Sequence, residues 1–177
     1  MSTTRRIFLA ALSGLFSSRL AGPLWGSPQR GRGGRGRGGR RGQNDPQFQR
    51  DRTVFQYLLA NHKQIRREVK KLPNGVETVT ESDVPEIVAA IQEHVAAMHR
   101  RVKKKQPIRQ RDPLFAALFR KVQWTSMTIK NTLKGVHVVV TSEKKAVVPL
   151  IQAHAQVVSA FVKLGFVEAR KNHAVPK

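Results

Sequence analysis

The stretch GVETVTESDVPEIVAAIQEH at residues 75–94 returns sixty residues later as GVHVVVTSEKKAVVPLIQAH at residues 135–154. Gly75 meets Gly135, Val76 meets Val136, Val79 meets Val139 and Ser82 meets Ser142. Val88 meets Val148, Ile91 meets Ile151, Gln92 meets Gln152 and His94 meets His154. Without a gap, the same offset pairs Phe55 with Phe115, Leu58 with Leu118, Lys70 with Lys130 and Val102 with Val162. Matches this dense mark an internal duplication. The copies lie near 51–105 and 111–165, and two such copies predict one shared core.

Each half reads as helix, hairpin, helix. Val54, Phe55, Leu58, Leu59 and Ile65 recur at helical spacing. In the second half Pro113 sits where helices begin, followed by Leu114, Phe115, Leu118, Phe119 and Val122. Pro73-Asn74-Gly75 and Leu133-Lys134-Gly135 are turns, and Val136 to Val140 is a β-branched run. Ser82 with Asp83 is expected to cap a helix from about Val84 to Val102. Its counterpart is expected from about Lys144 to Leu164. The predicted class is therefore α+β: a duplicated α-β-β-α unit, with a four-stranded antiparallel sheet and helices packed on it.

Helical geometry sorts the histidines. On the expected first helix His62 falls in the arc of Phe55, Leu58, Leu59 and Ile65. His154 falls inside the arc of Val147, Leu150, Ile151, Val157, Val158 and Phe161. His94 lies at the edge of the stripe of Ile87, Val88, Ile91, Val95 and Met98. His99 points elsewhere, His137 sits in a strand and His173 lies in the tail; these carry no signal. His94 and His154 are one position in two copies, so a pseudo-twofold axis relating the halves relates these imidazoles too. Such a pair suits haem iron, or copper or zinc completed by His62 or Met98. The competing expectation is two structural core histidines with no cofactor. No catalytic constellation is legible: the acids show no paired pattern, and there is no Ser-His-Asp arrangement or phosphate loop.

Ahead of this domain, Thr4-Arg5-Arg6-Ile7-Phe8-Leu9 followed by Ala10 to Phe16 forms a twin-arginine export pattern, assigned to residues 1–26. Its apolar run, broken by Arg19, is too short to span a membrane. Export to the periplasm or envelope is expected. The Ser/Arg-rich, acid-poor start is also compatible with a mitochondrial transit peptide. Residues 27–50 hold QRGRGGRGRGGRRGQ at 29–43, a composition that cannot bury apolar surface and predicts a disordered linker. Its Arg30, Arg32, Arg35, Arg37, Arg40 and Arg41 are candidate polyanion contacts. Behind an export signal, an anionic envelope polymer is the favoured partner and nucleic acid the lesser one.

The chain carries 33 Lys+Arg against 11 Asp+Glu, a net charge of +22. Residues 1–50 hold ten of those bases and one of the acids, leaving +13 on the domain. Such a balance attracts polyanions. With no cysteine there is no disulfide, thiolate zinc site, thiol nucleophile or covalent c-type haem.

The segments LPNGVETVTESD (72–83), IQEHVAAMH (91–99), RDPLFAALF (111–119), LIQAHAQVVSAFV (150–162) and NHAVP (172–176) resemble a family of exported bacterial domains of uncharacterised function. Members stand alone or beside c-type cytochrome modules. The likeness covers about residues 55–177 and implies redox surroundings, with a cytochrome as partner. It supplies no activity to carry over.

Overall fold

The computed structural model describes residues 46–177, so the export pattern and the six linker arginines lie outside the described residues. Helix α1 (Pro46–Ala60) and a 3-10 turn (His62–Gln64) lead into β1 (Arg66–Leu72) and β2 (Gly75–Glu81). Helix α2 (Pro85–Lys103) closes the first half. The second half repeats this with α3 (Pro113–Phe119), a 3-10 turn (Val122–Trp124), β3 (Ser126–Thr132), β4 (Gly135–Thr141) and α4 (Val148–Leu164). A short α5 (Phe166–Ala169) follows. The class is α+β, with one four-stranded antiparallel sheet in the order β1-β2-β4-β3.

The duplication fixes this order. In the β2–β4 pairing Thr78 faces Val138, its own equivalent, and Val76 faces Val140 while Thr80 faces Val136. The ladder thus maps onto itself under the sixty-residue shift, and a pseudo-twofold axis passes through the Thr78–Val138 pair. Close approach at this seam demands glycine twice. A Cβ on Gly75 would sit 2.0 Å from the Val140 carbonyl oxygen, and one on Gly135 would sit 2.0 Å from that of Thr80.

Helix α4 packs on β1 and β2, whereas α2 packs on β3 and β4, so each half roofs the other's strands. Two glutamines secure the exchange. Gln92 Nε2 donates to the Thr132 and Gly135 carbonyls, both at 3.1 Å. Gln152 Nε2 donates to those of Leu72 and Gly75, at 3.1 and 3.3 Å.

The apolar core follows the same plan. Ile87, Ile91, Val136 and Val138 form one cluster, with Leu58 and Ile65 against it. Val76, Val147, Ile151 and Ala155 form another. Leu114, Phe115, Ala117 and Leu150 join α3 to α4.

Three local expectations are corrected. Helix α1 begins at Pro46, inside the segment assigned to the linker, and stops at Ala60, so His62 and Ile65 lie beyond it. Ser82 and Asp83 do not cap α2. Its N-cap is Val84, whose N–H donates to Ser82 Oγ, while Asp83 pairs with Arg66 and Lys134. Helix α4 starts at Val148 rather than near Lys144.

Candidate functional site

The buried stripe of α2 runs through Ile87, Ala90, Ile91, Ala97 and Arg101, spacings that place His94 at its centre rather than its edge. On α4 the buried Leu150, Ile151 and Ala155 bracket His154 in the same way. Both rings are half-buried. Burial lowers each imidazole pKa from 6.5 to about 4. For His94 the nearby Asp51 carboxylate opposes this. For His154, the charges of Arg67 and of His94 itself add to burial, and Asp112 opposes them. A charge on His94 would thus further disfavour protonation of His154, and burial keeps both rings neutral at neutral pH. His94 Nδ1 is buried and has no hydrogen-bond partner among the described residues. His154 meets the Phe115 ring edge-on, with centroids 5.1 Å apart.

The sheet supplies the floor. Arg67, Val69 and Lys71 of β1 pair with Thr80, Thr78 and Val76 of β2 and share the face turned to the helices. Arg67 Nη1 donates to Thr80 Oγ1, and its buried Nε has no hydrogen-bond partner among the described residues. Desolvation lowers the guanidinium pKa to about 10. In the second half the equivalents of Arg67, Thr78 and Thr80 are Met127, Val138 and Val140. The duplicated floor is therefore polar on one side of the axis and apolar on the other.

Each histidine has a carboxylate in its surroundings, held differently in each half. Asp51 forms an ion pair with Arg101 at 2.5 Å, both side chains 4% exposed. Asp112 accepts from His173 Nδ1 at 2.6 Å, from Arg109 Nε at 3.1 Å and from two backbone N–H groups. The other ring nitrogen of His173 faces Glu168 at 3.1 Å. Burial pushes the Asp112 carboxyl up, but the hydrogen bonds from His173 and Arg109 outweigh it and hold it below its ordinary value. The Arg109 guanidinium also lies over the rings of Phe115 and Phe161, at 5.2 and 5.1 Å. His173, uninformative in the sequence, is thus the pin that fastens the tail beside the His154 half of the site.

Of the four expected metal ligands, His94 and His154 occupy equivalent places on α2 and α4, and the charge of His94 bears on His154. Met98 is half-buried one turn beyond His94 on the same helix flank. His62 is committed elsewhere: its Nδ1 lies 2.9 Å from the Val162 carbonyl oxygen, and its ring packs on Gly165. Val162 is eight residues, about 12 Å, along α4 from His154. His137 pairs with Glu77 at 2.8 Å on the opposite face of the sheet. Among the described residues no group of three or more His, Cys, Asp or Glu could hold a metal ion. Two surface clefts, of about 280 and 370 Å³, are lined by residues around Trp124 and Lys144 and around Arg120 and Val175, not by the histidine pair.

Arg67 and the Asp112–His173 clasp were missed in the sequence. For Arg67 a signal existed: the sixty-residue offset sets a charged residue against Met127 at an inward position. For the clasp there was none, because Asp112, Glu168 and His173 meet only through the folded tail. No helix of the described residues is long and apolar enough to cross a membrane. Comparison with protein-family models, with curated proteins and with solved structures finds no match to this chain.

Proposed function

We propose that this is an exported, non-catalytic binding domain that holds one transition-metal ion between His94 and His154, in the redox chemistry of the cell envelope. One observation carries the reading: two equivalent imidazoles, both kept neutral by burial, one with a buried nitrogen that no group of the described residues satisfies. A neutral imidazole is the protonation state that ligates metal. Cuprous copper suits the donors best. Zinc asks for four ligands, whereas a singly charged, soft ion is content with two imidazoles and a thioether such as Met98. The Arg67 cation, whose charge is felt at His154, also opposes a dication more than a monocation. Haem iron calls on the same two imidazoles but needs a porphyrin-wide slot as well. A cytochrome as redox partner rests on the family likeness of the sequence alone.

Competition with a chromophoric cuprous chelator under reducing conditions tests this. One equivalent of copper is expected to bind. His94→Ala and His154→Ala each lose it, while His62→Ala keeps it. Unchanged binding in the double variant would refute the site. Protein isolated from its native compartment with neither stoichiometric metal nor a Soret band would refute both metal and haem.

Charge favours a second reading, a polyanion binder using the +22 chain and Arg30, Arg32, Arg35, Arg37, Arg40 and Arg41. It calls for binding that weakens steeply with salt and is indifferent to His94 and His154.

A further inference from the structure

We propose that Arg67, with Thr80 beside it and His154 on the helix above, forms a subsite for a carboxylate or similar planar oxyanion, so that whatever occupies this site brings one negative group. The inference rests on the reading that His94 and His154 line a ligand site, but not on the identity of a metal.

Three observations converge. The first is the orphaned donor: Arg67 Nη1 is engaged by Thr80, and Nε is buried without a partner among the described residues. A buried guanidinium donor left unpaired is costly. The geometry leaves the side-on edge of the guanidinium, which begins at Nε–H, and this is the edge that carboxylates bridge. The second is the asymmetry. Both halves keep the histidine, but only the first replaces the apolar floor residues seen as Met127, Val138 and Val140 with Arg67, Thr78 and Thr80. The fold itself tolerates an apolar floor, since the second half has one, so folding does not call for the arginine. The third is the balance of charge. Asp51 and Asp112 are already bound by Arg101, Arg109 and His173, which leaves no carboxylate of the site, among the described residues, to neutralise Arg67. Arg67, His94 and His154 are each half-buried rather than sealed, so a small anion need displace only local cover to reach the buried Nε. A neutral imidazole still carries one N–H and can share the anion with the guanidinium.

The test uses the full chain stripped of metal by chelation. Sodium acetate is titrated at constant ionic strength, and the Arg67 Nε–H and His154 ring resonances are followed by NMR. Both are expected to shift together and to saturate, while sodium chloride leaves them in place. Arg67→Met installs the residue of the second half. It is expected to abolish acetate binding and raise the unfolding midpoint. Arg67→Lys keeps the charge but loses the fork, and is expected to weaken acetate roughly ten-fold or more; it carries the test even if Arg67→Met is unstable. Two results would overturn the subsite: acetate moving neither resonance, as when a resident water satisfies Nε, or acetate acting equally on Arg67→Met. Failure of the metal reading looks different, because it shows as wild-type protein that binds acetate but no copper.

Discussion

His94 and His154 stay uncharged at neutral pH because burial strips a protonated ring of its hydration, and at His154 the charges of Arg67 and His94 add to that penalty. This has a consequence for stability. In the unfolded chain each imidazole titrates near 6.5, and in the folded protein near 4. Between those values the unfolded state binds more protons, so stability rises with pH. The contribution is complete above about pH 6.5 and is lost as the pH falls towards about 4, on the order of 3 kcal/mol per ring. The clasp carboxylates act with the same sign but in a lower pH window. Asp112 and Glu168 are held below their ordinary values, so they sustain stability above about pH 4 and release it only in stronger acid. Urea midpoints measured across this range should fall in two stages. His94→Leu with His154→Leu should remove the upper stage and leave the lower one. An unaltered profile in that double variant would mean that the rings are not held neutral by the fold.

Among the elements, the β2–β4 seam is the least forgiving. Gly75→Ala or Gly135→Ala drives a methyl group into a carbonyl oxygen of the facing strand, where backbone cannot yield without parting the sheet. Each should cost upwards of about 3 kcal/mol in chemical denaturation, the two being nearly equal because the sites are equivalent. A loss below about 1 kcal/mol would show that the seam relaxes easily. These glycines, the hairpins, and helices α2 and α4 were all legible in the sequence, because a gapless repeat exposes every position twice. The first helix was less so. Val54, Phe55, Leu58 and Leu59 do lie on α1, but Ile65 continues their spacing by coincidence, in extended backbone after a 3-10 turn. That coincidence carried His62 onto an imagined helix face. In the fold, His62 instead lies against Gly165, which has φ +57° and leaves no room for a Cβ beside the ring. Strand order was not legible from one half. It emerges only when the halves are set about an axis. The histidine pair was visible as a repeated residue, whereas Arg67 shows its meaning only once β1 is known to turn it inward.

At the scale of the whole molecule, each half lacks its own roof. The strands of one are covered by the long helix of the other, and both turns are buttoned by the opposite glutamine. A fragment of residues 46–106 should therefore be unfolded at low concentration, and so should a fragment of 107–177. An equimolar mixture should regain helix and sheet by circular dichroism, with a midpoint that depends on concentration. Either fragment folding alone as a monomer would contradict the exchange. In the intact chain, segment 104–112 supplies a high effective concentration of one half for the other.

The seam through Thr78 and Val138 is that of a homodimer tied into one chain. In an untied pair every substitution is made twice, once on each side of the axis. An arginine at the position of Arg67 would then appear in both copies and put two uncompensated cations on one enclosed floor. Joining the copies removes that constraint. One side is free to acquire a charge while its twin stays greasy, and a site with two matching histidines can come to prefer a guest with two unlike ends.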